Sequence, residues 1–157
     1  MKIKLAKLGK RYNRDWIFRN LDFQFDDGKH YAITGPNGSG KSTLLQIISG
    51  ATIFNEGIVS YFENEKPFSQ EKIFQKISFA APYIDMIEEM TLKEFFSFHH
   101  SMKGWLPALN TKEIIYWSSL ENAAHKQLRY YSSGMKQRVK LAQAIFSDTP
   151  VVLLDEP

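Results

Sequence analysis

The stretch Gly35-Pro36-Asn37-Gly38-Ser39-Gly40-Lys41-Ser42-Thr43 decides how the rest of the chain is read. It fits Gly-x4-Gly-Lys-[Ser/Thr], the pattern of a phosphate-binding loop. The spacing has a physical reason. Gly35, Gly38 and Gly40 allow positive φ, so successive amide N–H groups can turn into one concavity. A helix that starts directly afterwards adds the positive end of its dipole to that cradle. In such a loop Lys41 reaches the β- and γ-phosphates of a triphosphate, and the Ser42 hydroxyl serves a magnesium ion. Upstream, His30-Tyr31-Ala32-Ile33-Thr34 is β-prone and predicts a strand; downstream, Leu44-Leu45-Gln46-Ile47-Ile48 is apolar enough for the buried face of a helix. A glycine-rich turn that matches by accident is the competing reading, and both flanks argue against it.

Composition bounds the rest. With 157 residues, 43% hydrophobic and 24% charged, the chain has the size and balance of one globular domain with a real core. The net charge of +3 is too small to argue for nucleic acid, while the basic pI near 9.0 suits an anionic ligand. The absence of cysteine excludes a disulfide scaffold, a thiol nucleophile and a thiolate metal site. No run approaches the roughly 18 consecutive apolar residues of a membrane span. Met1-Lys2-Ile3-Lys4-Leu5 alternates like a strand and has no signal-peptide core, so the sequence reads as cytoplasmic.

Periodicity supplies the elements. Residues 3–8 and 17–25 alternate (Ile3, Leu5; Leu21, Phe23, Phe25), predicting antiparallel strands buried on one face. Asp26-Asp27-Gly28 and Phe54-Asn55-Glu56-Gly57 read as turns, Ile58–Phe62 as a strand, and the polar, Pro-containing 63–72 as loop. Ile77–Ala80 reads as a short buried strand. From Thr91 the spacing turns helical (Leu92, Phe95, Phe96, His99), with Thr91 and Glu94 forming a capping box. A break at Gly104–Asn110 separates this helix from a second at Thr111–Leu120, and a longer helix is expected over Ser133–Phe146. The pair His99-His100 has no acidic or cysteine partner at ligand spacing, and reads as packing rather than a metal site.

Val151-Val152-Leu153-Leu154-Asp155-Glu156 is an apolar, buried-strand pattern ending in two carboxylates. In a phosphate-loop protein such a strand lies beside the loop's own strand and delivers Asp155 to the magnesium shell. Glu156, one residue on, is placed to polarise a water for attack on the γ-phosphorus. A surface Asp-Glu pair capping a turn is the alternative, and the full loop upstream weighs against it.

Between these two stretches lies Tyr131-Ser132-Ser133-Gly134-Met135-Lys136-Gln137-Arg138-Val139. It resembles the signature motif of ATP-binding cassette (ABC) ATPases, with the usual Leu-Ser-Gly-Gly-Gln replaced by Tyr-Ser-Ser-Gly-Met. The Lys-Gln-Arg continuation and the 23 residues from Ser132 to Asp155 (155 − 132) suit that family. A Ser-Ser-Gly helix cap is the plain alternative. The three motifs stand in the family's order, and the resemblance covers essentially the whole chain.

The resemblance implies an α/β fold of the phosphate-loop NTPase type. It would hold an N-terminal antiparallel β portion, a RecA-like core and a helical subdomain near residues 88–130, all within a single domain over 1–157. It implies ATP and Mg2+ as ligands, with Gly35, Pro36, Asn37, Gly38, Ser39, Gly40, Lys41, Ser42 and Thr43 on the nucleotide. Ser42 and Asp155 would serve the metal, and Lys41 and Glu156 the chemistry. Ser132, Ser133 and Gly134 would contact the γ-phosphate held by the opposite subunit. An adenine-stacking aromatic is expected in the N-terminal β portion: Tyr12, with Trp16 as its rival. One position departs from the pattern. Where the family places a Gln touching Mg2+ and water stands Pro82, so Tyr83, Asp85 or a water must serve instead.

The implied function is the ATP-binding and hydrolysing subunit of an ABC transporter. It would work with a second such subunit, head to tail as a homo- or heterodimer, and with transmembrane permease subunits. It would sit peripherally on the inner face of the cell membrane, with no direct contact to nucleic acid. The family also holds non-transport ATPases of ribosomes and DNA, but this compact, near-neutral chain shows none of their extensions. A nucleotide-binding fragment without turnover is a third reading. The family continues past the Asp-Glu pair with a loop, a strand and a switch His. None of His30, His99, His100 and His125 follows Glu156, so the chain reads as a cassette truncated in its C-terminal part.

Overall fold

The computed structural model describes residues 1–156. They form two compact units, 1–76 and the residues from Ile77 onward.

In the first unit β1 (Lys2–Tyr12), β2 (Asp15–Phe25), β3 (Glu56–Glu63) and β4 (Lys66–Phe68) build an antiparallel sheet in the order β2-β1-β3-β4. The alternation of Ile3 and Leu5 would carry Lys7 inward at the next step. A bulge intervenes: Lys7 adopts φ 48 and its N–H donates to Asp22, so Leu8 takes the buried place instead. Gly57, at φ 89, lies against this bulge, where a β-carbon would come within 2.4 Å of the Lys7 carbonyl oxygen. Ile3, Leu5, Leu8, Val59 and Tyr61 form the buried side, joined by Ile47 and Ile48 of α1 (Lys41–Ile48). The buried Tyr61 hydroxyl donates to the Ile48 carbonyl at 2.9 Å, and burial pushes its pKa up to about 12. Helix α1 stops in a Schellman arrangement, with Ala51 N–H on Gln46 and Gly50 N–H, at φ 78, on Ile47.

Three expectations fail in this unit. Phe23 is not buried but 45% exposed, in an edge-to-face cluster with Phe25 and Tyr31. Residues 63–72 are not simply loop. Asn64 and Glu65, both at positive φ, make a two-residue hairpin turn into β4, and Gln70–Gln75 is a 3-10 turn. Pro67 is tolerated because β4 is an edge strand, where a missing N–H costs no ladder bond. Finally, His30–Thr34 forms no strand. A β-prone run becomes a strand only when a neighbour supplies N–H and C=O groups, and no described residue pairs with it.

The second unit centres on two parallel strands, β5 (Ile77–Ala80) and β6 (Val151–Leu154), registered Ile77 to Val151 through Ala80 to Leu154. Helix α4 (Ser133–Ile145) packs on them, and the Ser78 hydroxyl donates to the Ala144 carbonyl at 2.7 Å. Helices α2 (Leu92–Lys103) and α3 (Thr111–Trp117) share one core with α4: Leu92, Phe96, Ile114, Leu128 and Val139 are fully buried. Side chains of this size are worth about 1.5–3 kcal/mol each when buried, which makes this cluster the main adhesive of the unit. The expected burial of β6 is not met: Val151 and Leu153 are only half-buried. Val152 and Leu154 are 42% and 38% exposed, because α4 covers one side of the strand pair and parallel strands need cover on both. His99 is buried among this core with its Nε2 2.7 Å from Ser147 Oγ, and His100 stacks on Trp105. The His pair is packing.

Candidate functional site

The loop Gly35–Thr43 opens α1 directly. Gly38 and Gly40 have φ 79 and 94, the left-handed region, and Gly35 is also positive at 157. Gly40 is the N-cap of α1. A β-carbon there would come within 2.4 Å of Ile17 and 3.2 Å of Phe18, so β2 leaves room for glycine alone. The same contact brings the loop beside the hairpin that carries Tyr12. Within the loop, Ser39 N–H donates to the Pro36 carbonyl at 3.2 Å. Lys41 is the first helical residue, and its ammonium donates to the carbonyls of Gly35 (2.9 Å) and Pro36 (3.0 Å). Pro36, Asn37, Gly38 and Ser39 are exposed, while Ser42 and Thr43 are half-buried in the first turn. Left-handed glycines at the start of a helix are a setting in which backbone N–H groups can turn toward anionic oxygen.

At the hairpin tip Tyr12 is 47% exposed, with the Lys10 ammonium 4.5 Å from its ring centre. The rival Trp16 is half-buried, and its ring is engaged by the guanidinium groups of Arg19 (4.5 Å) and Arg11 (5.6 Å). Arg19 is held there by a two-pronged ion pair with Glu56.

In the second unit Asp155 directly follows β6. Its N–H donates to the Ala80 carbonyl at 2.9 Å, which continues the β5–β6 ladder one step further. Asp155 is only 6% exposed, and its Oδ2 accepts the Tyr83 hydroxyl at 3.0 Å. Glu156 follows, exposed and at φ 47, a conformation that costs a non-glycine residue of order 1 kcal/mol or more. Ser132 is the N-cap of α4 and its Oγ accepts the Met135 N–H at 3.3 Å; Ser133 and Gly134 open the helix and are exposed. Asp155, Glu156, Ser133, Lys136, Gln137 and Pro82 line one cleft of about 270 Å³. Gln137 reaches the Glu156 carbonyl at 3.4 Å, and Lys136 pairs with Glu88. Pro82 offers its carbonyl to Lys140, and Asp85 is exposed. Of the groups offered in place of the missing Gln, Tyr83 is the one the structure brings onto Asp155. A signal existed in the sequence, a hydroxyl three residues past β5, but nothing in it gave the distance to β6.

Among the described residues no cluster of three or more His, Cys, Asp or Glu forms a self-contained metal cage, and no helix is long and apolar enough to cross a membrane.

Comparison with known proteins adds three findings. Residues 18–157 match the ABC transporter family. An uncharacterized ABC transporter ATP-binding protein, YxlF of Bacillus subtilis (strain 168), is 30% identical over 159 residues, covering 99% of this chain and 52% of its own. Nod factor export ATP-binding protein I of Burkholderia lata is 28% identical, with 99% and 52% covered. The chain therefore spans about half the length of these curated relatives. Among solved structures, the dimeric post-hydrolysis state of the ATP-binding cassette MJ0796 bound to ADP and Pi superposes with a TM-score of 0.79. It is 26% identical, and the match covers 99% of this chain and 74% of that one. The fold is thus that of an ABC ATPase cassette, α/β with an antiparallel N-terminal sheet. With glycine loop, helix-opening serines and strand-ending carboxylates all inside the matched span, the chain belongs to the ABC transporter family.

Proposed function

We propose that this chain binds and hydrolyses ATP as the nucleotide-binding subunit of an ABC transporter, one cassette domain powering transport through membrane partners. The observation that carries the reading is the loop at the start of α1. Gly38 and Gly40 are left-handed there, and the Lys41 ammonium is already bound to the Gly35 and Pro36 carbonyls of the same loop. Gly35 to Thr43 cradle the phosphates, and Lys41 pairs with the β- and γ-phosphates. The groups offered to magnesium, the Ser42 hydroxyl and the Asp155 carboxylate, are oxygens, the donor type that this hard cation selects. Magnesium, when bound, neutralises charge on the phosphate oxygens. Glu156, exposed at the end of β6, orients the attacking water and receives its proton. Tyr12 stacks on adenine, supported by its exposure and by the commitment of Trp16 to two arginines.

The partner is a second cassette subunit, homo- or heterodimeric and head to tail, whose Ser132, Ser133 and Gly134 complete the γ-phosphate site. The exposure of those residues and the dimeric state of the MJ0796 cassette support this. Permease subunits would hold the pair at the inner face of the membrane, in line with a relative named for export. The decisive test is calorimetric titration of MgATP into the parent and Lys41→Ala. Charge-assisted hydrogen bonds run about 1.5–3 kcal/mol each, so the variant should bind at least about tenfold more weakly. Equal affinities would sink the phosphate-loop assignment.

A further inference from the structure

Asp155 is a nearly buried carboxylate, and a buried charge needs a donor. Tyr83 supplies one: its hydroxyl lies 3.0 Å from Asp155 Oδ2. Since an ionised carboxylate only accepts, the phenol donates. Both sides of this bond are anchored. The ring of Tyr83 lies edge-on to Phe79 of β5, with centres 6.2 Å apart. The chain around it turns tightly, Ile84 N–H reaching the Ala81 carbonyl at 3.2 Å, and the adjoining Pro82 carbonyl is taken by Lys140. On the other side, the Asp155 backbone is tied to Ala80. Tyr83 and Asp155 are therefore fixed by different parts of the β5–β6 ladder, and the hydroxyl sets the direction of one carboxylate oxygen.

We infer that Tyr83 is a positioning residue for the magnesium site: it holds Asp155 in the orientation that serves the cation, and acts through that carboxylate rather than on the metal. The inference rests on the proposed role of Asp155. It also explains how a site with Pro82 where a Gln is expected keeps its carboxylate ordered. A neutral phenol is a poor ligand for magnesium but a good donor to a carboxylate, and groups that orient a ligand in this way commonly change metal affinity about 10–100-fold when removed.

The experiment reads one ratio, the affinity for a fluorescent ATP analogue in magnesium divided by that in EDTA. It is measured for the parent, Tyr83→Phe, Asp155→Asn and the double variant, with circular dichroism to establish folding. Tyr83→Phe keeps the ring against Phe79 and deletes only the donor. Its ratio should fall about tenfold, and manganese titration followed by electron paramagnetic resonance should show the same loss. In the Asp155→Asn background the Tyr83 change should add little. A parent that binds the analogue while Tyr83→Phe keeps the parent's ratio overturns the role of Tyr83 alone. An effect just as large in the Asp155→Asn background overturns it too, because the hydroxyl would then act elsewhere. A folded parent that binds no analogue in either buffer overturns the phosphate-loop reading, and this inference with it.

Discussion

His99 shows how a single residue can tie packing to pH. Burial pushes its imidazole down from 6.5 to about 4, and Lys103 and His100 add to the shift. Above pH 6.5 the ring is neutral in both the folded and the unfolded chain, so stability does not change with pH on its account. As the pH falls from 6.5 towards 4 the unfolded chain takes up a proton that the folded chain refuses. Stability is then lost at up to about 1.4 kcal/mol per pH unit. Melting curves between pH 7 and 4 should show this slope. His99→Gln keeps a polar group near Ser147 without a titrating one and should flatten it; an unchanged slope would show that other groups carry the acid sensitivity. The spacing of Leu92, Phe95, Phe96 and His99 placed this ring on the buried face from sequence alone, but its bond to Ser147, 48 positions away, needs the fold.

At the scale of elements, the start of α2 was legible locally. The capping box of α2 is complete, with Thr91 Oγ1 accepting the Glu94 N–H and the Glu94 carboxylate accepting the Thr91 N–H. Its hydrogen bonds, the Thr91 N–H first, hold the Glu94 carboxyl below its ordinary value. Thr91→Ala should destabilise the second unit by about 1 kcal/mol in urea unfolding, within the usual range for caps. No measurable change would mean that the bridge of Thr91 to Gln127 secures the helix start instead. The same signature opens α3, Asn110 with Glu113, where the sequence suggested only a break followed by a helix. Elements that depend on distant partners were harder. Pro67 signalled loop because the edge position that tolerates it is a property of the sheet. His30–Thr34 had every local feature of a strand except a neighbour.

At the scale of the whole molecule, the candidate residues are divided between the two units. The glycine loop belongs to one unit, and the carboxylates and the serine-rich helix start belong to the other. Chemical types were legible, since Gly, Lys, Ser and Asp at those spacings have few other uses, but the Tyr83–Asp155 bond depends on the β5–β6 register and was not. On the proposed reading of a site shared between two copies, assembly is the observable. Glu156→Gln keeps shape and loses basicity, so with ATP the variant should accumulate as a nucleotide-bound dimer in sedimentation velocity while the parent turns over. A variant that stays monomeric at every ATP and protein concentration would count against a site shared between subunits.

The Lys41 ammonium, bound to the Gly35 and Pro36 carbonyls, gives ligand capture the character of a barter. On the proposed reading, an incoming phosphate must displace two oxygens of the chain itself. Its net gain is the difference between two sets of bonds to the same nitrogen. On that reading the loop's grip on ATP depends partly on how well Lys41 is satisfied at rest, and a weaker resting contact to these carbonyls would tighten the hold on nucleotide.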